Sequence, residues 1–198
     1  MQFSNCQTSR MNAFWKLYHR DLSRCLIGAV LIISAGCNGG LSAFKETRKA
    51  AEMGYTNAQF NLSNMYRVGE GVPKNDKKAV TWYRKAAEQG NATAQHNLGW
   101  MYYKGEGVPE NDAEAVTWYR KAAYQGNAIA QGNLGTMYCK GEGVPENYEE
   151  AYKWFLLAAA KGEEKVKEAM TTFEGLLTAK QGAEGQRRAA AYHAKESQ

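Results

Sequence analysis

Apolar side chains recur along the middle of the chain in two alternating registers. In the first, Ala58, Leu62, Met65 and Tyr66 fall at i, i+4, i+7 and i+8, the spacing of one stripe of an amphipathic helix. The set returns as Ala94, Leu98, Met101 and Tyr102, and again as Ala130, Leu134, Met137 and Tyr138, each 36 residues further on. In the second register Ala79, Trp82, Tyr83 and Ala86 recur 36 and 72 residues later, with Phe155 in place of Tyr in the third copy. Between the two registers stands Gly-Glu-Gly-Val-Pro, at residues 69–73, 105–109 and 141–145. Two glycines make positive φ cheap and the proline ends a helix on its N-terminal side, so each pentapeptide predicts a turn between two helices. Asn75, Asn111 and Asn147, two residues beyond the proline, predict N-caps, and Glu114 and Glu150 three residues later predict capping boxes that Lys78 breaks in the first copy. Gly90, Gly126 and Gly162 predict the helix ends.

A helical hairpin of 36 residues cannot bury its own stripe, so successive hairpins must stack. The fold class expected is therefore all-α, an α/α superhelix with repeats at 55–90, 91–126 and 127–162. Ala58, Ala79, Ala86 and Gly99 would permit close helix approach, and Trp82, Trp118 and Trp154 would fill the space between hairpins. Ala-x-x-x-Leu-Gly-x-x-Tyr, then Gly-Glu-Gly-Val-Pro, then Ala-x-x-Trp-Tyr-Arg-Lys-Ala-Ala is similar to the Sel-one-like repeat, a branch of the tetratricopeptide superfamily, with Ser63 for Gly as the main departure. Residues 38–54 form a partial helix whose Arg48-Lys49-Ala50-Ala51-Glu52-Met53-Gly54 resembles the end of a second helix without its Trp. Leu156 and Leu157 replace the Arg and Lys of the earlier copies and need a cover. Residues 163–198 are read as capping helices: Val166, Met170, Phe173 and Leu177 fall at helical spacing, and Leu-Thr-x-x-Gln at 177–181 resembles the C-terminal cap of the family.

Residues 1–37 have another character. A cationic stretch precedes an apolar run of about 12 residues, short of the roughly 20 that span a bilayer and matching a signal peptide. Met11 as the start would give an ordinary n-region. The run ends Ile33-Ser34-Ala35-Gly36-Cys37, which resembles the lipobox of bacterial lipoproteins, although Ser34 stands where Leu is usual. That resemblance implies lipidation at Cys37, export across the inner membrane and residence in the periplasm or at the outer membrane, towards which Asn38 leans; plain secretion is the alternative.

Charge and cysteines remove other classes. The net charge of +5 is concentrated in the leader, where Arg10, Lys16, Arg20 and Arg24 face Asp21; the remainder holds 21 basic and 19 acidic side chains, which gives no footprint for nucleic acid. Of Cys6, Cys25, Cys37 and Cys139 only the last lies in the repeats, so no disulfide framework and no metal spacing is expected. His19, His96 and His193 stand apart, Glu70, Glu106 and Glu142 read as solvated turn residues, and no nucleophile, base and orienting group converge. Neither a cofactor nor a catalytic residue is expected. Ser42-Ala43-Phe44-Lys45 matches Ser-x-x-Lys without its companion motifs. Cysteine-rich relatives of the family, described as penicillin-binding or β-lactamase proteins, keep an envelope enzyme acting on β-lactams or peptidoglycan as the alternative function.

The informative positions are those that do not repeat. Phe60, Asn64 and Arg67 correspond to His96, Trp100 and Tyr103, then to Gly132, Thr136 and Cys139, all on one face of the first helix, with Asn57, Thr93 and Ile129 a turn away. The superfamily resemblance implies that this face lines a concave groove for a protein or peptide partner. Trp100 beside Tyr103 would be its anchor if exposed; otherwise Trp100 packs beneath a neighbouring loop. The expectation is a non-enzymatic interaction scaffold.

Overall fold

The computed structural model describes residues 40–162 and 177–196, with Val166, Met170, Phe173 and Gly175 between them. The leader and Cys37 lie outside the described residues. The helices whose bounds fall among the described residues are α1 (40–52), α2 (Thr56–Val68), α3 (Asp76–Glu88), α4 (Ala92–Lys104), α5 (Asp112–Tyr124), α6 (Ala128–Lys140), α7 (Tyr148–Ala160) and α8 (Ala179–Glu196). No strand occurs among the described residues. Each helix packs on the next, in the order α2 to α7, and α8 packs on α7. The chain is an all-α solenoid of helical hairpins with the 36-residue period of its sequence. No helix among the described residues is long and apolar enough to cross a membrane.

The caps explain where the helices begin. Asn75, Asn111 and Asn147 accept from the backbone N–H of Lys78, Glu114 and Glu150. The reciprocal half of the expected capping box has no orphan to satisfy. The Asn N–H groups already donate to Tyr66, Tyr102 and Tyr138 carbonyls at 2.8, 2.9 and 2.9 Å, which ties each second helix to the end of the first. A second pair of caps, Asn91 and Asn127, starts α4 and α6.

The second glycine of each pentapeptide does more than turn the chain. A Cβ on Gly107 would lie 2.5 Å from the Asp76 carbonyl carbon, and one on Gly143 would lie 2.4 Å from that of Asp112. One repeat earlier, Gly71 rests in the same way on Gly40, the first residue of α1. The turn of each repeat is thus pressed onto the start of the second helix of the repeat before it, and α1 takes that helix's place ahead of repeat one.

Two layers of aromatics fill the stack. Tyr83, Tyr119 and Phe155 are buried inside their own hairpins, and a Cβ on Gly99 or Gly135 would meet the Tyr119 or Phe155 ring at 2.9 or 2.7 Å. Trp118 joins the core of repeat one and Trp154 that of repeat two, so each indole reaches back one repeat. Trp82 departs from the expected burial: it is half-buried, with Lys85 Nζ 4.2 Å from its ring centroid, because among the described residues the lone helix α1 is all that precedes its hairpin. A ladder of buried glutamines accompanies the rings. Gln95 donates to the Ala87 carbonyl and accepts from Gln125, as Gln59 donates to Ala51 and accepts from Gln89. Lys161 stands where a third partner would be, and Gln131 Oε1 is left buried without a protein partner.

At the C-terminal end Phe173 stacks edge-on to Phe155 at 5.5 Å, and Val166, Met170 and Leu177 pack around the same rings. Leu157 is buried and Leu156 partly so. On α8, Tyr192 meets Trp154 and Tyr124, while Arg188 pairs with Glu150 at 2.9 Å and with Glu184 at 2.8 Å.

Candidate interaction face

The first helices of the three hairpins, α2, α4 and α6, carry the non-repeating positions, and in each repeat these gather around the buried ring of the second helix. In repeat one Phe60 lies 6.1 Å from Tyr83, the Tyr83 hydroxyl donates to Asn64 Oδ1, and Arg67 Nε donates to the same hydroxyl oxygen at 3.2 Å. Arg67 itself is exposed. In repeat two His96 lies 5.7 Å from the Tyr119 ring. Its Nδ1 is 3.1 Å from Asn97 Oδ1 and its Nε2 3.3 Å from Asn133 Nδ2, so an Nδ1–H tautomer satisfies both. Burial lowers the His96 pKa, and the hydrogen bond to Asn97 opposes the shift only in part. Burial likewise drives the Tyr119 hydroxyl upward, helped by the neighbouring Tyr103. Both groups are neutral at pH 7.

Trp100 lies between the two expected extremes. It is half-buried, packing against the cores of repeats one and two together, and its remaining surface divides two hollows. One, of about 220 Å³, is lined by Arg67, His96, Asn97, Trp100 and Met101. The other, of about 110 Å³, lies among Trp100, Tyr103, Tyr119, Thr136 and Glu142. The Tyr103 hydroxyl donates to Glu142 Oε2 at 3.3 Å, and Lys104 Nζ lies 4.8 Å from the Tyr103 ring centroid.

Repeat three is different. Gly132 is buried beneath Val166, whose Cγ2 would lie 2.9 Å from a Cβ there; Thr136 donates back to the Gly132 carbonyl at 3.1 Å; and Cys139, a free thiol with its pKa raised by burial, packs in the cluster of Phe155 and Phe173. The structure therefore brings Arg67, His96, Trp100, Tyr103 and Thr136 around one pair of hollows, with Phe60 and Asn64 directed to Tyr83 beside them. Ile129 is exposed, as are Asn57 and Thr93.

Sequence reasoning passed over three members of this face. Asn97 and Asn133, which recur with Asn61 at one position of every repeat, adjoin the packed stripe, where an Asn needs a polar partner. Glu142 was read as a solvated turn residue; it is half-buried and meets the Tyr103 of the preceding repeat, because the pressed turn carries it there. No group of three metal-ligating side chains forms among the described residues. Ser42 and Lys45 are both exposed on α1, and among the described residues no base is hydrogen-bonded to the hydroxyl.

The Sel1 repeat model matches residues 56–91, 92–127 and 128–163, more than half of the chain. No curated protein sequence matches it. Among solved structures, a Sel1 repeat protein from Oxalobacter formigenes is 38% identical with a TM-score of 0.63, over 66% of this chain and 54% of that one. A protective antigen of uropathogenic Escherichia coli displaying an SLR fold is 34% identical with a TM-score of 0.69, over 77% of this chain and 34% of that one. Cysteine-rich protein B of Helicobacter pylori is 25% identical with a TM-score of 0.51, over 64% of this chain and 96% of that one. The chain thus spans about half the length of the first and a third of the second. Three consecutive repeats in register, with the hairpins, caps and turns described above, place this chain in the Sel1 repeat family, whose members are generally protein-interaction scaffolds and typically not enzymes.

Proposed function

We propose that this chain is an exported, non-enzymatic scaffold that binds a protein or peptide along the concave face lined by α2, α4 and α6. The observation that carries the reading is Trp100: a large aromatic standing half-exposed between two hollows, beside Tyr103, on positions that vary while the scaffold around them repeats. Partly buried aromatics in preformed concavities are the usual anchors of interfaces. Attachment through a lipidated Cys37, in the periplasm or at the outer membrane, is the localisation we favour.

The test pairs binding with stability. Trp100→Ala combined with Tyr103→Ala should abolish pull-down of an envelope partner. Because Trp100 touches two cores, the double variant is compared with Thr136→Arg, which blocks the smaller hollow without emptying a core. Loss of partner with both, in proteins that still melt cooperatively, supports the face; retention with both refutes it. Mass spectrometry of the mature N-terminus tests the anchor, and an unlipidated start beyond Cys37 would remove it.

A further inference from the structure

The larger hollow has a chemical bias that identifies its ligand more closely. Arg67 is exposed in the last turn of α2, and its Nε is held by the Tyr83 hydroxyl, which fixes the guanidinium plane and leaves the terminal nitrogens directed away from that bond. Among the described residues no carboxylate comes within 4.0 Å of it. Lys104, in the last turn of α4, lies against the Tyr103 ring and likewise has no acidic partner. Lys140, one repeat on from Lys104, is paired with Glu142 at 3.5 Å. Repeats one and two therefore each end their first helix on a cation with no carboxylate partner among the described residues, and Arg67 lines a hollow of about 220 Å³ whose other walls are His96, Asn97, Trp100 and Met101. With His96 neutral, the wall adds an aromatic surface and an amide rather than more charge.

Resting on the reading that this face binds peptides, we infer that its occupant is an acidic segment of a protein partner. An Asp or Glu side chain pairs with Arg67, and the adjacent aromatic or large aliphatic side chain enters the hollow against Trp100. A planar guanidinium with free terminal nitrogens matches a carboxylate in a fork-to-fork geometry. The second hollow lies on the other side of Trp100, so a segment seated at Arg67 continues towards it, and the carboxylate belongs to a side chain within the segment rather than to a chain end.

By register Glu106 is the expected internal competitor: it stands one repeat before Glu142 as Arg67 stands one repeat before Tyr103, and among the described residues no ion pair joins the two. Removing that carboxylate should make Arg67 more attractive to an acidic ligand. This outcome is opposite to the effect of damage to the fold.

The experiment measures fluorescence anisotropy of short, amidated, labelled peptides with Glu-Phe-Glu, Gln-Phe-Gln or Lys-Phe-Lys at the centre, against the full chain. Glu-Phe-Glu should bind at least about tenfold more tightly than Gln-Phe-Gln, with binding that weakens as salt rises, and Lys-Phe-Lys should not bind. Arg67→Glu should remove that preference, Glu106→Gln should strengthen it, and Lys49→Glu, exposed on α1, should leave it unchanged. Equal binding of Glu-Phe-Glu and Gln-Phe-Gln, lost with Trp100→Ala, would overturn the acidic preference and leave the face itself standing. Binding of none of the peptides, or binding indifferent to both Arg67 and Trp100, would overturn the inference. A matching peptide left with a free carboxyl terminus, assayed alongside, that binds through Arg67 better than the internal Glu would also overturn it.

Discussion

Replacement of Gly143 by Ala probes the contact between neighbouring repeats. The residue has φ +69°, and a Cβ there would lie 2.4 Å from both the carbonyl carbon and oxygen of Asp112 and 2.8 Å from the Ala113 nitrogen. Those atoms open α5, where Asn111 caps the Glu114 N–H at 3.0 Å, so they cannot yield without breaking the cap. Left-handed backbone at a non-glycine costs about 1–2 kcal/mol, and forced overpacking adds about 1–3, giving a loss of about 2–5 kcal/mol. Gly90→Ala supplies the control: φ is +90° and nothing lies within 4 Å of the new methyl, so only the first term, about 1–2 kcal/mol, applies. Thermal and urea unfolding followed by circular dichroism measures both. At about 2–4 °C per kcal/mol for a chain of this size, Gly143→Ala should melt several degrees below Gly90→Ala. Its transition should also broaden, since stability in a solenoid depends on coupling between neighbours. Equal losses for the two variants would show that the second glycine of the pentapeptide serves the local turn alone.

Other expectations follow from single contacts. Gln95→Leu strands the Ala87 carbonyl and Gln125 and should cost about 1–3 kcal/mol, whereas Gln131→Leu should cost less, because its Oε1 is already unpartnered; urea midpoints would show the order. Trp154→Ala should cost about 3–5 kcal/mol, and Trp82→Ala, half-exposed, clearly less. His96 has a folded pKa held below its ordinary 6.5, so the unfolded chain binds more protons. Its contribution is therefore complete above about pH 6.5 and is lost as pH falls through that value towards the folded pKa. His96→Gln should flatten stability between pH 7 and pH 5, and an unchanged profile would remove His96 as the cause.

The hairpins were legible because their signals are local. Leu62, Leu98 and Leu134 mark one stripe and Tyr83, Tyr119 and Phe155 another, while Asn111 and Gly126 punctuate a helix whatever surrounds it. Contacts across repeats were not legible in this way. The positive φ of Gly107 could be read from the sequence, but not that its missing Cβ lets it rest on Asp76. Glu114 had the spacing of a capping box, yet the Asn111 N–H it would serve donates to Tyr102. Trp82 and Trp154 look alike in sequence and differ in burial because Trp154 has a full hairpin beside it and Trp82, among the described residues, a single helix. On the candidate face, the variable positions could be chosen by alignment. Their convergence on Tyr83 and Tyr119, and the split of the groove at Trp100, depend on side-chain reach across helices.

We propose that partners are held on the side of α2, α4 and α6. Site-specific photo-crosslinking in the native host tests it most directly, with the photoreactive side chain placed either at Thr136, which lines the smaller hollow, or at Thr117, exposed on α5. A discrete crosslinked protein is expected from Thr136, lost when Trp100→Ala is combined with Tyr103→Ala, and none from Thr117. A partner captured from Thr117 and absent from Thr136 would place the interaction on the opposite row of helices and contradict it.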